Sequence, residues 1–412
     1  MGAAETESAT AFSAKRTAGE PTPTRLRTID DLDLGGWRVL LRADLNVPLK
    51  DGRVADDARI LASLPTIEEL RHRGCAIVLV SHLGRPHGVD AALSLRPVAE
   101  RLRQLTDAPV TLAPAVVGDD VQRLAEGLRP GEILLLENVR FEPGETTNDS
   151  RLADSLAALA DYYVNDAFGA AHRAHASTVG TADRLPSAAG RLMEREVGAL
   201  SAILEHPARP LVAVLGGAKV ADKIGVVRRF LEIADSVLIG GAMAFPFLAA
   251  EGRRTGASRC ASEDVAIAAS VLGASHAERL ELPDDLVVAQ SASADASRQT
   301  LESVDVPDGW LGLDIGPHTA ERYAERIAGA GSVFWNGPMG VFEIGPFAAG
   351  TGAVAEAVAA SAAITVVGGG ETVSAVRRLG LERRVDHVST GGGATLELLE
   401  GRILPGVEVL AQ

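Results

Sequence analysis

The stretch 211–230, LVAVLGGAKVADKIGVVRRF, constrains the fold more than any other part of the chain. An apolar run bounded by Pro210 and by Gly216-Gly217 predicts a buried strand, and residues 218–230 carry helical spacing, so the two glycines form a strand-to-helix turn. The unit recurs. Residues 237–239 lead to Gly240-Gly241, residues 364–367 to Gly368-Gly369-Gly370, and residues 387–390 to Gly391-Gly392-Gly393. One such turn means little, because glycine also serves there for steric reasons. Four at the same edge of one parallel sheet would aim several helix N-termini into a single crevice, where backbone amides and helix dipoles favour an anion.

Lys219 and Lys223 fall four apart, which puts them on one face of the predicted helix's first turn. The positive end of the dipole disfavours a cation there by roughly 0.3–1 kcal/mol at an exposed site. Either both side chains snorkel into solvent, or an anion lies between them. The Walker A spacing is absent. So is a GxGxxG after a strand with its acidic partner, which removes the fingerprint of a dinucleotide-dependent dehydrogenase.

The N-terminal half alternates apolar runs with helical stretches, the pattern of an α/β fold with a largely parallel sheet. The runs 39–41, 76–80, 133–136 and 162–164 are followed by RADLNVP, SHLGRP, ENVRF and NDAFGAAHRAH. Ligands of open α/β sheets bind beyond the carboxyl ends of the strands. Arg42, Arg85, Arg140 and Arg173, with His82, His172 and His175, therefore gather on one edge. A guanidinium fork holds carboxylate or phosphate oxygens through paired hydrogen bonds, so a small, strongly anionic ligand is expected. The histidines lack the further nearby ligand that a metal cluster needs. Arg59 is predicted in the first turn of a helix capped by Asp56 or Asp57, and the pattern alone makes it an arginine paired with a neighbouring aspartate. In the C-terminal half, VFWNGPMGVFE reads as a rigid loop. Its Trp335, Phe342 and Pro338 either flank a flat ring or belong to the core, and Glu343 is a candidate to hydrogen-bond ribose hydroxyls.

At 412 residues the chain exceeds one ordinary core, so two domains are expected. The predicted divisions are a disordered N-terminal extension (1–24), an N-terminal domain (25–187), a connector helix (188–200), a C-terminal domain (201–393) and a segment returning to the N-terminal domain (394–412). The formal net charge of −15 argues against nucleic acid or an anionic membrane as partner. The longest apolar stretch, 237–250, is broken by glycines and Pro246 and is too short to span a bilayer. Cys75 and Cys260 lie far apart, fitting free thiols in a reducing cytoplasm.

Taken together, RADLNVP, SHLGRP, LENVRF, NDAFGAAHRAHAS, LGGAKVADKIGV, GLDIGP, VFWNGPMGVFE, GGGETV and HVSTGGGATLELLEG resemble the phosphoglycerate kinase family, in the family's order and from about residue 25 to the C-terminus. The resemblance implies two doubly wound parallel-sheet, Rossmann-like α/β domains joined by a hinge around a cleft. It implies a monomer with reversible, Mg2+-dependent phosphoryl transfer between 1,3-bisphosphoglycerate and ADP, giving 3-phosphoglycerate and ATP. Carried over by position, Asp44, Leu45, Asn46, Arg59, His82, Leu83, Gly84, Arg85, Arg140 and Arg173 meet the phosphoglycerate. Gly217, Ala218, Lys219, Lys223, Gly241, Asn336, Glu343, Gly369, Gly370, Glu371 and Thr372 meet the nucleotide. Arg59, Lys219, Lys223, Gly370 and Gly393 act on the phosphoryl in flight. Three departures stand out: Glu371 replaces the family's usual Asp, expected to hold nucleotide-bound magnesium, Ala221 replaces a usual Ser, and Ala170 a usual small polar residue. A relative that binds nucleotide but turns over poorly, because Glu371 misplaces the metal, is the competing expectation.

Overall fold

The computed structural model describes residues 25–411, so the extension expected over 1–24 lies outside the described residues. Two six-stranded sheets, each wholly parallel, organise the chain. The first runs in the order 110–112, 133–135, 76–80, 38–42, 162–165, 187–189. Successive residues of each strand point to opposite faces, and both faces are covered. Val39, Leu41, Ile77 and Leu79 join Ile60, Ile67 and Leu70 of helix Ala58–His72 on one side. Leu40, Val78 and Val80 join Val121, Leu152 and Leu156 on the other.

The second sheet runs 280–281, 236–239, 211–215, 332–336, 364–368, 387–388. From strand Leu211–Leu215 the chain winds outward to one side, then returns to add Ser332–Asn336 and its successors on the other. The reversal opens a crevice at the carboxyl ends of these two strands, where Gly216-Gly217 and Gly337-Pro338 lie. In the first sheet the same reversal falls between Arg38–Arg42 and Tyr162–Asn165.

Several sequence expectations change here. Residues 332–336, read as part of a loop, form a central, fully buried strand, and Trp335 is core, its indole N–H bonded to the Gly337 carbonyl at 2.8 Å. A three-stranded antiparallel sheet (286–289, 298–301, 311–315) is an addition that the parallel pattern did not announce. Helix Ile224–Ile233 starts later than expected: residues 218–223 are not helical, only 221–223 forming a turn, and Lys223 is the N-cap.

Helix Arg191–Glu205 links the two sheets and extends past residue 200, the expected end of the connector. Buried Asp166 accepts the amides of Leu192 and Met193 at 2.8 and 3.2 Å, satisfying two of the helix's free donors. Burial pushes the Asp166 carboxyl up to about 6. The helix's Met193, Val197 and Leu200 share one apolar cluster with Phe168 and Ala171 of the first lobe, Val226 and Phe230 of the second, and Leu404 and Val407 near the C-terminus. The last residues lie on the first lobe: Gly406 donates to the Ala171 carbonyl at 2.8 Å, and Arg27 to that of Leu410 at 2.9 Å.

Candidate active site

The strand ends of the first lobe assemble a basic cavity. Asp44, Asn46, Arg59, His82, Gly84, Arg85, Arg140 and Arg173 line it together with Gly391, Gly392 and Gly393 from the second lobe. The Asn46 amide oxygen accepts the Gly84 N–H at 2.9 Å, which ties the first two strand-end loops together. Arg140 donates to the Gly84 carbonyl, and its buried Nε has no hydrogen-bond partner among the described residues. Burial, then the neighbouring Arg173 and Arg42, lowers its pKa to about 10. It stays cationic at neutral pH, and an anion in the cavity would relieve the crowding of like charges. Leu45 and Leu83 do not join the lining. Both are core residues, and their amides are engaged by Ser81 Oγ and Asn138 Oδ1 at 2.9 and 3.1 Å.

Arg59 stands in the first turn of helix Ala58–His72, as expected, but its partner is neither Asp56 nor Asp57. Asp56 accepts the Ala58 amide at 2.8 Å and Asp57 pairs with Arg101 at 2.6 Å. Arg59 instead reaches Asp44 and the Asn46 carbonyl.

On the second lobe, Gly217, Ala218, Gly241, Glu343 and Glu371 surround a cavity whose apolar wall is Phe245, Leu286, Leu313, Met339 and Val341. These side chains, not Trp335, form the apolar surface of the cavity; Phe342 is buried, while Pro338 does line it. Gly241, at φ +66°, allows no side chain, because a Cβ there would lie 2.7 Å from both the Gly217 nitrogen and the Pro338 oxygen. Asp314 also borders the cavity, unforeseen from sequence. It accepts the amides of Ile315 and Gly350 at 3.0 and 2.8 Å, and burial pushes its pKa up to about 7. The GLD triplet before a helix-starting Pro was the one available signal.

The two lysines part company. Lys219 is exposed, with no ion pair or side-chain hydrogen bond among the described residues. Lys223 is tucked under the glycine turns, its Nζ donating to the carbonyls of Gly216 and Asn336 at 2.6 and 3.0 Å. The dipole conflict inferred from sequence therefore does not arise as drawn, since neither lysine sits inside a helical turn. Burial lowers the Lys223 pKa to about 8, partly opposed by the charges of Glu371 and Asp222.

Helix Gly370–Arg378 begins directly at its glycines. Gly369, at φ +87°, passes so close to Asn336 that a Cβ would meet its Nδ2 at 2.8 Å, and that buried Nδ2 has no hydrogen-bond partner among the described residues. Thr372 is buried with its hydroxyl oxygen accepting the Gly337 N–H at 2.6 Å, so its side chain braces the loop, and its first-turn amide has no partner within the helix. A further cavity bounded by Gly369, Gly370, Arg377 and Ser389 also takes in Arg59 and Gly392. Arg59 and Gly392 thus border both this cavity and the arginine cavity.

An arginine-lined lobe thus faces a lobe of glycine turns, with a cation and a glycine turn at their junction. The phosphoglycerate kinase family pattern matches residues 29–402. A phosphoglycerate kinase of Thermus thermophilus is 54% identical over 390 residues, covering 93% of this chain and all (100%) of that protein. One of Rubrobacter xylanophilus is 53% identical over 387 residues, covering 94% and 98%. The solved structure of phosphoglycerate kinase from Coxiella burnetii superposes with a TM-score of 0.86 at 41% identity, covering 94% of this chain and 99% of that one. The chain belongs to the phosphoglycerate kinase family.

Proposed function

We propose that this protein catalyses the reversible transfer of a phosphoryl group between the acyl phosphate of 1,3-bisphosphoglycerate and ADP, yielding 3-phosphoglycerate and ATP. The observation that carries the reading is the shared border: Arg59 and Gly392 line both the arginine cavity and a second cavity between the lobes, walled by Pro48 and Ala58 on one side and by Gly369 and Gly370 on the other. A group passing from one lobe to the other meets them on the way.

Asp44, Asn46, His82, Arg85, Arg140 and Arg173 hold the phosphoglycerate, the arginines countering its carboxylate and phosphate. The nucleotide base lies against Phe245, Leu286, Leu313 and Val341, and Glu343 takes the ribose hydroxyls. The first-turn amides of Gly370, Glu371 and Thr372, the orphan Asn336 Nδ2 and the Lys223 ammonium receive the phosphates. Phosphoryl transfer needs alignment and positive potential on the equatorial oxygens more than covalent chemistry from the protein. Arg59, Lys219 and the amides at Gly392 and Gly393 provide both. Closure of the lobes about helix Arg191–Glu205 would exclude water and strengthen each of these contacts.

Magnesium fits as a nucleotide-borne ion. Among the described residues there is no group of three or more His, Cys, Asp or Glu side chains able to hold a metal alone. Mg2+ commonly binds through one or two carboxylates plus substrate phosphates, and Glu371, on the first turn of helix Gly370–Arg378 and bordering the nucleotide cavity, supplies one. When bound, the ion neutralises phosphate charge. The protein acts as a cytoplasmic monomer. Neither nucleic acid nor membrane is a partner in this reading; the net charge is −15, and among the described residues no helix is long and apolar enough to cross a membrane.

A coupled assay with 3-phosphoglycerate, ATP and Mg2+ tests the reaction. Turnover is expected. No ATP consumption at millimolar substrate would leave only the binding-competent, poorly catalytic relative.

A further inference from the structure

Beneath the arginine cavity runs a buried chain of polar groups that the reaction does not directly use. Arg42, last residue of its strand, is only 1% exposed, and its Nη2 lies 3.1 Å from His82 Nδ1. Arg42 Nε donates to Ser177 Oγ at 2.8 Å, and Nη1 donates to the Ala43 carbonyl. Ser177 Oγ in turn donates to Glu145 Oε1 at 2.7 Å, while the Ser177 amide donates to Oε2 at 2.9 Å. Tyr163 fixes the same turn by donating to the Ser177 carbonyl at 2.8 Å.

The direction of every bond in this chain is forced. A guanidinium has five N–H donors, no acceptor, and does not lose its proton in proteins. Glu145 is 0% exposed; burial alone would raise its pKa, but His175, whose Nδ1 lies 3.5 Å from Oε1, the Arg42 charge and the Ser177 hydrogen bonds outweigh that and hold it low, so it is an acceptor at both oxygens. Ser177 must therefore accept from Arg42 and donate to Glu145. At the other end, Nδ1 of His82 can only accept. A ring nitrogen that accepts carries a lone pair, so the imidazole is neutral and its proton is on Nε2. Burial of this 5%-exposed ring, and then the guanidinium groups of Arg42, Arg140 and Arg59, act in the same sense, disfavouring an imidazolium.

We propose that Arg42, held by Ser177 and Glu145, is a positioning residue that locks His82 as the neutral Nε2–H tautomer and so makes it an uncharged donor to the phosphoglycerate. Its last clause rests on the proposed function; the tautomer itself does not. The lock suits a cavity already crowded with cations. A donor without charge adds a directional hydrogen bond and no further repulsion among the arginines.

The test uses the full chain labelled with 15N-histidine, and reads the His82 ring by long-range 1H–15N correlation, assigned by its loss in His82→Gln. A proton on Nε2 from pH 6 to 8 is expected; a proton on Nδ1, or an imidazolium at pH 7, overturns the proposal. In Arg42→Met the His82 signals should move to a mixture of tautomers, with KM for 3-phosphoglycerate raised about ten-fold, kcat within about three-fold and KM for MgATP unchanged. A ring that keeps a pure Nε2–H state in that variant, with KM unaltered, counts against it. Should Arg42→Met not fold, Ser177→Ala gives the same changes in weaker form, and their complete absence is equally adverse. A wild-type ring of the expected tautomer that 3-phosphoglycerate leaves unperturbed upholds the lock and refutes the substrate role given to His82.

Discussion

Arg59 Nη1 lies 3.0 Å from both carboxylate oxygens of Asp44, and the same nitrogen reaches the Asn46 carbonyl at 3.2 Å. The arginine is thereby held at the border of two cavities before any ligand arrives, by a carboxylate that is itself in the arginine cavity. Such preorganisation matters most for charge that develops only during transfer. Arg59→Ala should lower kcat by about a hundred-fold or more while KM for either substrate moves far less. Steady-state kinetics with each substrate varied decides it, and a loss expressed only through KM would remove Arg59 from the transition state.

Lys223 brings a pH dependence. Its folded pKa, about 8, lies below the unfolded value of 10.5. Between those values the unfolded chain holds a proton that the native protein has lost, so stability rises with pH across this window and the cost of burying the cation is full below about 8. For function the sign is opposite. Nucleotide phosphates favour the ammonium, so nucleotide binding near pH 8–9 should take up a proton, and kcat/KM for the nucleotide should fall as pH rises through about 8. Calorimetry in buffers of different ionisation enthalpy measures the uptake, which Lys223→Met should abolish.

Glu371 reaches one methylene further than the aspartate usual in the family. If it contacts the nucleotide-bound metal, Glu371→Asp should shift the Mg2+ concentration for half-maximal activity by a few-fold, and Glu371→Gln should raise it by about ten-fold or more through loss of the charge. Identical Mg2+ titrations for all three proteins would place the carboxylate outside the metal's reach.

Glu196, on the linking helix and 0% exposed, accepts the Thr390 amide and hydroxyl at 2.6 and 2.8 Å and faces His387 Nε2 at 2.9 Å. Burial would raise its pKa, but hydrogen bonding from His387, together with Thr390, outweighs this and holds it below 4.5. The stabilisation is thus complete above about pH 4.5 and is lost as pH falls through the lower folded value. Glu196→Ala strands two donors of Thr390 and should cost about 1–3 kcal/mol, read as a lowered Tm at pH 7. Because Thr390 immediately precedes the glycine turn at 391–393, the same variant should also slow turnover, whereas a variant with wild-type Tm and kcat would show that the contact is dispensable.

The parallel architecture was legible because buried parallel strands read as continuous apolar runs, as at 76–80 and 211–215. Strands of two or three residues, such as 187–189 and 280–281, are too short to show a period. Strand 332–336 was hidden by its own ending, since Asn-Gly-Pro drew the reading toward a loop. The helical spacing at 218–230 misled at its start, because Val220 is buried from a bend ahead of the helix rather than from the helix itself. The arginine edge was visible from strand ends alone. What no local pattern could reveal were partners distant in sequence: Arg42 with Ser177, |i−j| 135, or Glu196 with Thr390, |i−j| 194.

The chain's return to its first lobe sets an order on its making. On the ribosome, the strands of residues 38–189 emerge long before Leu404, Val407 and Leu410, which cover Phe168 and Ala171 in the finished protein. Until those last residues are synthesised, that apolar surface stays uncovered and the Ala171 carbonyl lacks its Gly406 donor. Loss of these side chains would therefore injure the half made first, beside the histidines and arginines of its cavity, and would also open the same cluster where Val226 and Phe230 of the second lobe join it.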